Sequence, residues 1–482
     1  MKIFLASSEL TPLAKTGGLA DVCSALSVYF HEQGHDIQVL LPFYSTIDTF
    51  ELEITPVSGL QNLSITTGAH EFYYSIDSII LPGASLTIYL LRCPELFQWA
   101  EMYSGPDEHL RFIVLSRVAI EICQHQGFAP DIFHCHDWHT SLLPLYLKTL
   151  YDWDSLFSKT RSVLTIHNIG YQGVFDADAV DDAGLQDYRH MLDQDDLDDD
   201  QVNFLKTGVR YADSLTTVSP TYAREILTPE FGMGLEGLLQ QRGDALVGIL
   251  NGVDYSEWSP ESDPLIMHNF SKLKMAGKKA NKKDLQLDFQ LETLPERPII
   301  GMVTRLTWQK GLELFEQVMP ALLAERDFSL VVLGNGEADY ENYFHWLQSS
   351  YPERVAFYCG FNNRLAHKVE AGSDMFLMPS RYEPCGLNQM YSLRYGTVPI
   401  VRATGGLADS VQQYDYETGQ GTGVVFRDFD AGGLAWALNY ALDLYQNKKD
   451  WKKVVRNGMS QDYSWKQQGR IYEDLFSKLL HL

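Results

Sequence analysis

The sequence predicts two doubly wound α/β domains, on three observations. Short, β-branched apolar runs recur along all 482 residues, helix-length stretches separate them, and many runs, such as KIFLAS, GILNG and VPIVRA, are apolar on both faces. A strand that is apolar on both faces is covered on both, the state of parallel strands between two helical layers. In the first half the runs are Lys2–Ser7, Asp36–Pro42, Thr87–Cys93, Asp131–His136, Arg161–Asn168, Ser214–Ser219 and Gly248–Gly252. In the second they are Pro298–Arg305, Ser329–Asn335, Val355–Gly360, Met375–Ser380, Val398–Ala403 and Gly423–Phe426.

The boundary falls near Asp254, where the turn-rich NGVDYSEWSPESDP leads into KLKMAGKKANKKDLQ. The lysines of that stretch read as a solvated helix face. The expected domains are residues 1–253 and 254–462, and the amphipathic tail at 463–482 is long enough to cross from the second back to the first. The Asp-dense stretch Asp176–Asp200 reads as an exposed, mobile insertion. It is not a calcium loop, for it lacks the Gly-punctuated D-x-D-x-D-G.

Composition excludes several function classes. Against 38 Lys+Arg stand 63 Asp+Glu, a net charge of −25. That argues against a general nucleic-acid or anionic-membrane surface, but leaves room for a local cationic pocket. No apolar run approaches the ~18 residues of a membrane helix. The start, MKIFLASSEL, turns polar too soon for a secretory signal and is too poor in Arg and Ser for a transit peptide. The six cysteines show no C-x-x-C or zinc spacing, so they read as reduced thiols of a cytoplasmic protein.

One string occurs twice, TGGLADV at Thr16–Val22 and TGGLADS at Thr404–Ser410, each after a buried strand and each opening a helix. Glycines there let a backbone approach a ligand, and free helix N–H groups favour an anion. Lys15 adds a full charge beside the first copy. Arg305 and Lys310, in RLTWQKG, follow the strand Pro298–Thr304 and belong at a sheet's carboxyl edge, where α/β ligands bind. There Arg can grip phosphate with two donors and Lys acts as a point charge. In SRYEPCGLNQMYSLRYG, Glu383 and Pro384 end a strand and Gly386 opens a helix, so that Glu383 could bond substrate hydroxyls or merely complement the helix dipole. Cys385 has no neighbour that marks it as an activated nucleophile.

HCHDWH carries His134, His136, Asp137 and His139, and TIHNIGYQG carries His167 and Asn168. Alternation puts His134 and His136 on one strand face, a pair more suited to core hydrogen bonding than to a metal lacking further ligands. His167 and Asn168 end a strand before a Gly-rich loop, a usual place for substrate contacts. A nicotinamide fingerprint is missing, since Gly334-Asn-Gly336 lacks the third glycine of G-x-G-x-x-G, and neither a P-loop nor a G-x-S-x-G elbow occurs.

The combination of Lys15-TGGLADV, HNIGYQG, GILNGVD, RLTWQKG, SRYEPCGLNQMYSLRYG and TGGLADSV resembles the bacterial glycogen synthase and plant starch synthase family, in its order and nearly along the whole chain. The resemblance implies the GT-B fold: two Rossmann-like domains facing a deep inter-domain cleft. It implies retaining transfer of glucose from ADP-glucose to the non-reducing end of an α-1,4-glucan, with no metal and no other cofactor.

Residue by residue, it implies that Lys15, Gly17 and Gly18 face the donor's phosphate and sugar. Arg305 and Lys310 would hold the diphosphate, and Glu383 the glucose, with Cys385 and the amides near Gly386 and Leu387 beside it. His167, Asp137, Asn168 and Asn251 would line the sugar and acceptor side, with His167 counted among the catalytic groups. Phe361 would lie against the adenine, and the Gly405–Gly406 amides would cap the phosphates.

Two departures stand out: Asn388 where the family usually has Thr, and Tyr391 at the second acid of the E-x7-E pattern of related transferases. Two other readings remain open, a UDP-sugar transferase of the same fold and a non-catalytic glucan-binding scaffold. The cluster of Lys15, Arg305, Lys310 and Glu383 argues against the scaffold, because a glucan platform needs aromatic rings more than phosphate-binding cations.

Overall fold

The apolar runs form two sheets, one in each of two units of the computed structural model, which describes residues 1–103, 105 and 107–481. Unit 1 comprises Met1–Val218, Ala223–Gly252 and Trp465–Leu482; unit 2 comprises Ser219–Tyr222 and Val253–Ser464.

In unit 1 the strands are β1 (Lys2–Ala6), β2 (Asp36–Pro42), β3 (Thr55–Pro56), β4 (Leu63–Thr67), β5 (His70–Ile80), β6 (Thr87–Arg92), β7 (Ile132–His136), β8 (Arg161–Ile166), β9 (Val174–Asp176), β10 (Gln201–Asn203), β11 (Ser214–Thr217) and β12 (Leu246–Gly248). The sheet runs β12-β11-β8-β7-β1-β2-β6-β5-β3, with β4 paired to β5 and a separate β9–β10 ribbon. From β6 to β12 every neighbour is parallel. Unit 2 holds β13 (Ile299–Val303), β14 (Ser329–Gly334), β15 (Val355–Cys359), β16 (Met375–Met378), β17 (Val398–Arg402) and β18 (Val424–Phe426), all parallel, in the order β15-β14-β13-β16-β17-β18.

Numbered along each chain segment, the parallel strands of both sheets read 3-2-1-4-5-6, and unit 1 adds a seventh. Such a sheet reverses direction between its first and fourth strands, and loops leaving their carboxyl ends splay apart to form a crevice. The crevices lie at β1/β7 and at β13/β16. Central strands are sealed: every residue of β14 is buried, and Ile299, Ile300 and Met302 of β13 are at most 1% exposed.

Three local expectations are corrected in whole or in part, and one set of strands was missed. The run Gly248–Gly252 is not a strand; β12 ends at Gly248, and only Ile249 continues the ladder, through Thr217. The antiparallel β3–β5 extension was missed because β5 alternates buried and exposed residues, as a sheet with one wet face does.

The lysine-rich helix Ala276–Asp288 is not simply solvated. Lys282 is buried on Asp374 (2.8 Å), and Lys278 bonds the Glu370 carbonyl (3.0 Å) and the Thr397 hydroxyl. Burial drags Lys278 down to about 7, against the pull of Asp374 and Glu370.

Asp176–Asp200 is exposed at most of its acids, as expected, but is tied down at three of them. The β9–β10 ribbon closes it, Asp193 and Asp196 pair with Lys206 (2.9 and 2.7 Å), and Asp182 accepts from His109 (2.9 Å). Asp195, Asp198, Asp199 and Asp200 stay exposed.

Helix Trp465–Leu479 packs on unit 1. Phe476 stacks on Phe30 at 5.4 Å, Tyr29 donates to Glu473 (2.6 Å), and Gly469 is a glycine because a Cβ there would strike the Tyr29 ring.

Candidate active site

In unit 2 the sequence-marked residues gather at the β13/β16 crevice. β13 ends at Val303, Arg305 follows with an exposed guanidinium that has no partner among the described residues, and a single 3-10 turn, Trp308–Lys310, turns the chain back. β16 ends at Met378, and Glu383 lies 6% exposed beyond it. Lys310 Nζ donates to Glu383 Oε2 and Oε1 at 2.7 and 3.0 Å, and the buried Ser380 hydroxyl donates to Oε2 at 2.8 Å. An ionised carboxylate has about four acceptor positions, so roughly one stays unused.

Gly386 has φ +71, a conformation that favours glycine, and its turn delivers the chain into helix Asn388–Tyr395. The N–H groups of Gly386 and Leu387 have no acceptor among the described residues. Asn388, in place of the family's Thr, ties this helix start to β13 by donating to the Val303 carbonyl at 2.7 Å. Tyr391, at the missing second acid, is buried and stacks at 4.0 Å on Trp258, which stacks at 3.8 Å on His367. Cys385 is buried, and its carbonyl accepts from Gln389 at 3.1 Å. Phe361, after β15, is 72% exposed.

The two TGGLAD copies are used differently. Gly405 has φ +43, and a Cβ there would fall on the Glu383 carbonyl oxygen; a Cβ on Gly406 would fall on that of Cys385. The Gly406 N–H points at the Glu383 and Pro384 carbonyls, at 3.3 and 3.2 Å, not away from the protein. These glycines clamp the Glu383 loop. Ser219 donates to Pro384 O (2.6 Å), and Thr221 donates through its amide and hydroxyl to Asp409 (both 2.7 Å), bracing the same loop.

The first copy is open. A Cβ on Gly17 would meet nothing within 4 Å, and Gly18 is exposed at the start of helix Gly18–Glu32, its N–H without an acceptor among the described residues. Lys15 is held by Asp21 at 2.7 Å.

The anchor of this loop was missed in the sequence. Glu9, 4% exposed just beyond β1, accepts from Thr16 N–H (2.7 Å), Thr16 hydroxyl (2.6 Å), Gly17 N–H (3.2 Å) and Tyr103 hydroxyl (2.8 Å). Only its place at the carboxyl end of the first strand could have signalled it.

Across that crevice, at the end of β7, Asp137 adopts φ 52, ψ −168, a region almost confined to glycine. It accepts from the His167 N–H at 2.7 Å. Burial raises its carboxyl to about 7; the amides of His167 and Asn168 oppose this, and Glu9 adds to it. His167 meets His136 at 3.0 Å (Nε2 to Nδ1), and burial holds His167 down at about 3, a neutral ring. Asn168 accepts from Gly170 N–H (3.0 Å). Asn251, 5% exposed after β12, has its Oδ1 without a partner among the described residues.

Cys23, His136 and His167 form a buried cluster whose ligand atoms lie within 4.8 Å of one another. Two of its rings already bond each other, and burial pushes the Cys23 thiol up, against the thiolate a metal needs.

Similarity to known proteins follows this division. The starch synthase catalytic domain family matches residues 2–241, and the group 1 glycosyl transferase family matches residues 284–458. The chain is 42% identical to a glycogen synthase of Thermotoga petrophila over 100% of this chain and 99% of that one. It is 41% identical to glycogen synthase 1 of Geobacter sulfurreducens over 100% and 96%. The catalytic domain of starch synthase IV from Arabidopsis thaliana, bound to ADP and acarbose, superposes with a TM-score of 0.92 at 31% identity, covering 100% of this chain and 99% of that one. A sucrose-phosphate synthase from Thermosynechococcus elongatus, 16% identical with a TM-score of 0.59, shares the fold alone.

Proposed function

The chain belongs to the glycogen and starch synthase family, a glycosyltransferase of the GT-B fold, and from that premise we propose that it moves glucose, with retention, from ADP-glucose to the non-reducing end of an α-1,4-glucan. The observation that carries the proposal is the Lys310–Glu383 pair at the strand-order reversal of unit 2, beside the unengaged Arg305 and the open amides of Gly386 and Leu387. Cations and amides suit a diphosphate, and a carboxylate suits sugar hydroxyls.

Arg305 and Lys310 would take the diphosphate, whose charge grows as the glucosyl–phosphate bond breaks; fixed charges aimed at that leaving group lower the barrier. Lys310 now occupies both oxygens of Glu383. Its turn towards phosphate would release those acceptors to the glucose hydroxyls, so that donor entry and sugar recognition are one exchange. Phe361 would cover the adenine. Gly405 and Gly406 would serve chiefly by setting the Glu383 loop, since the Gly406 N–H would have to leave its carbonyls to meet a phosphate.

From unit 1, Lys15 with Gly17 and Gly18 would face donor phosphate, the open Gly17 admitting close approach. Asp137, His167, Asn168 and Asn251 would meet sugar hydroxyls. The unpartnered Asn251 Oδ1 and the strained Asp137 backbone support that role. Retention with no nucleophile in evidence suits same-face attack, the departing phosphate taking the acceptor's proton. The reaction would need no metal, and the free cysteines suit a cytoplasmic setting. No helix among the described residues is long and apolar enough to cross a membrane.

The test is direct: purified protein, glycogen primer, and labelled ADP-glucose beside UDP-glucose. Incorporation from ADP-glucose is expected. Preference for UDP-glucose would reassign the donor, and transfer from neither would overturn the reading.

A further inference from the structure

Helix Ala431–Gln446 buries a face of leucines and alanines yet leaves its largest residue half exposed. Ala437 and Ala441 are fully buried, whereas Trp436 is 48% exposed. One turn on, the Tyr440 ring lies 5.3 Å from Trp436, and Tyr416, 41% exposed, lies 5.4 Å beyond Tyr440. The middle ring is fixed: Tyr440 hydroxyl donates to the Tyr414 carbonyl (2.8 Å), and Tyr414 hydroxyl donates to Asp450 (2.9 Å).

Beside Trp436 opens a groove of about 400 Å³, lined by Arg427, Asp428, Gly432 and Gly433 among others. The Arg427 and Asp428 side chains are exposed and make no hydrogen bond or ion pair among the described residues. The groove lies at the carboxyl end of β18, two strands from the Glu383 loop, and Arg402 of β17 donates to the Arg427 carbonyl at 3.3 Å.

We infer that this row and groove are a second holding site for an α-1,4-glucan chain, separate from the transfer site; the inference rests on the glucan-synthase reading above. A pyranose presents a C–H face and a rim of hydroxyls that both donate and accept. Three rings about one sugar length apart match the faces, and an unengaged guanidinium beside an unengaged carboxylate matches the rim. Charge narrows the choice of occupant. Exposed Asp415 and Glu417 flank Tyr416 in the chain, and exposed Asp428 and Asp430 stand beside the groove, against Arg427, which disfavours nucleic acid and acidic peptides and leaves a neutral polymer unaffected. A polymer held here stays near the donor-binding unit between transfers, raising the local concentration of its ends.

The experiment compares full-length wild type with Trp436→Ala, Tyr416→Ala and Trp436→Phe. Retardation in native gels containing glycogen is read first, without turnover. Both Ala variants should lose most of the retardation, and Trp436→Phe should keep most of it. The KM for glycogen should then rise about tenfold in the Ala variants, while KM and kcat with maltotriose, too short to occupy both places, stay unchanged. Unchanged retardation in folded Ala variants overturns the inference. So does an equal loss with maltotriose, which would place Trp436 in the transfer site, or loss of a wild-type dimer in sedimentation with glycogen binding intact. Wild type that transfers glucose to neither acceptor overturns the functional reading, while the gels still decide the platform.

Discussion

Replacing Glu383 by Gln removes one charge from a pair set within 2.7 Å, with side-chain exposures of 8% for the acid and 15% for the lysine. Two unit charges about 4 Å apart attract by roughly 4 kcal/mol at an effective dielectric of about 20. Desolvation offsets much of this, but breaking one side of a buried pair leaves the other charge uncompensated and costs about 3–5 kcal/mol. Gln keeps the shape and one oxygen for Lys310 and Ser380, so the expected stability loss is the lower figure or below, about 2 kcal/mol.

Turnover should fall further, roughly a hundredfold, the scale of one lost electrostatic contact in a transition state. ADP affinity should stay or improve, because Lys310 no longer has to leave a carboxylate to reach phosphate. Calorimetric ADP binding, thermal melting and initial rates on one preparation separate the three effects. Turnover within twofold of wild type would show that Glu383 only braces Lys310. A parallel collapse of ADP binding would refute the exchange between diphosphate and sugar.

The two TGGLAD glycines should part company: Gly405→Ala costs more than about 3 kcal/mol in chemical denaturation, whereas Gly17→Ala melts within about 1 kcal/mol of wild type and loses activity through blocked ligand approach. Full activity in Gly17→Ala would remove that loop from the site. Lys310→Ala should cut turnover about a hundredfold, and unchanged kinetics would make it a purely structural partner of Glu383. Dialysis against EDTA should leave activity intact despite Cys23, His136 and His167; loss restored by one divalent ion would refute this.

His367 gives a pH signature. Burial alone would depress it, but the bond to Asp263 (2.8 Å) and the Glu257 carboxylate 3.9 Å away outweigh that and raise it to about 9. Its folded value exceeds the unfolded ~6.5, so its stabilisation, about 3 kcal/mol, is full below pH ~6.5 and is lost as pH rises through about 9. The melting difference between wild type and His367→Gln should shrink over that range, and a constant gap would refute the charged pair.

What could be read in advance follows from how far each signal travels. Strands buried on both faces announce themselves, and their ends delivered Lys15, Asp137, His167, Arg305 and Glu383 to two sheet edges. Glu9 was invisible because a single acid after a strand has no pattern; its four donors come from Thr16, Gly17 and Tyr103, far apart in sequence. Ser219 and Thr221 likewise carry no mark of the loop they brace. Glycine identity was legible but its use was not: the same six letters serve open approach at Gly17 and backbone apposition at Gly405. The half-buried Lys278 and the buried Lys282 broke the rule that lysine runs are wet, since their partners Glu370 and Asp374 lie some ninety residues on.

The helix at Trp465–Leu479 sets an order on biosynthesis. It seals Phe30 and His134 of unit 1 with Phe476 and Tyr472, and Trp465 covers Gly252. A ribosome adding about 5–20 residues per second releases this segment only after all of unit 2 has been made. The first-made domain therefore waits with an apolar groove uncovered while its successor folds, a window in which chaperones or aggregation can act. Its closing piece is the natural place for a truncation to uncouple solubility from the integrity of unit 2.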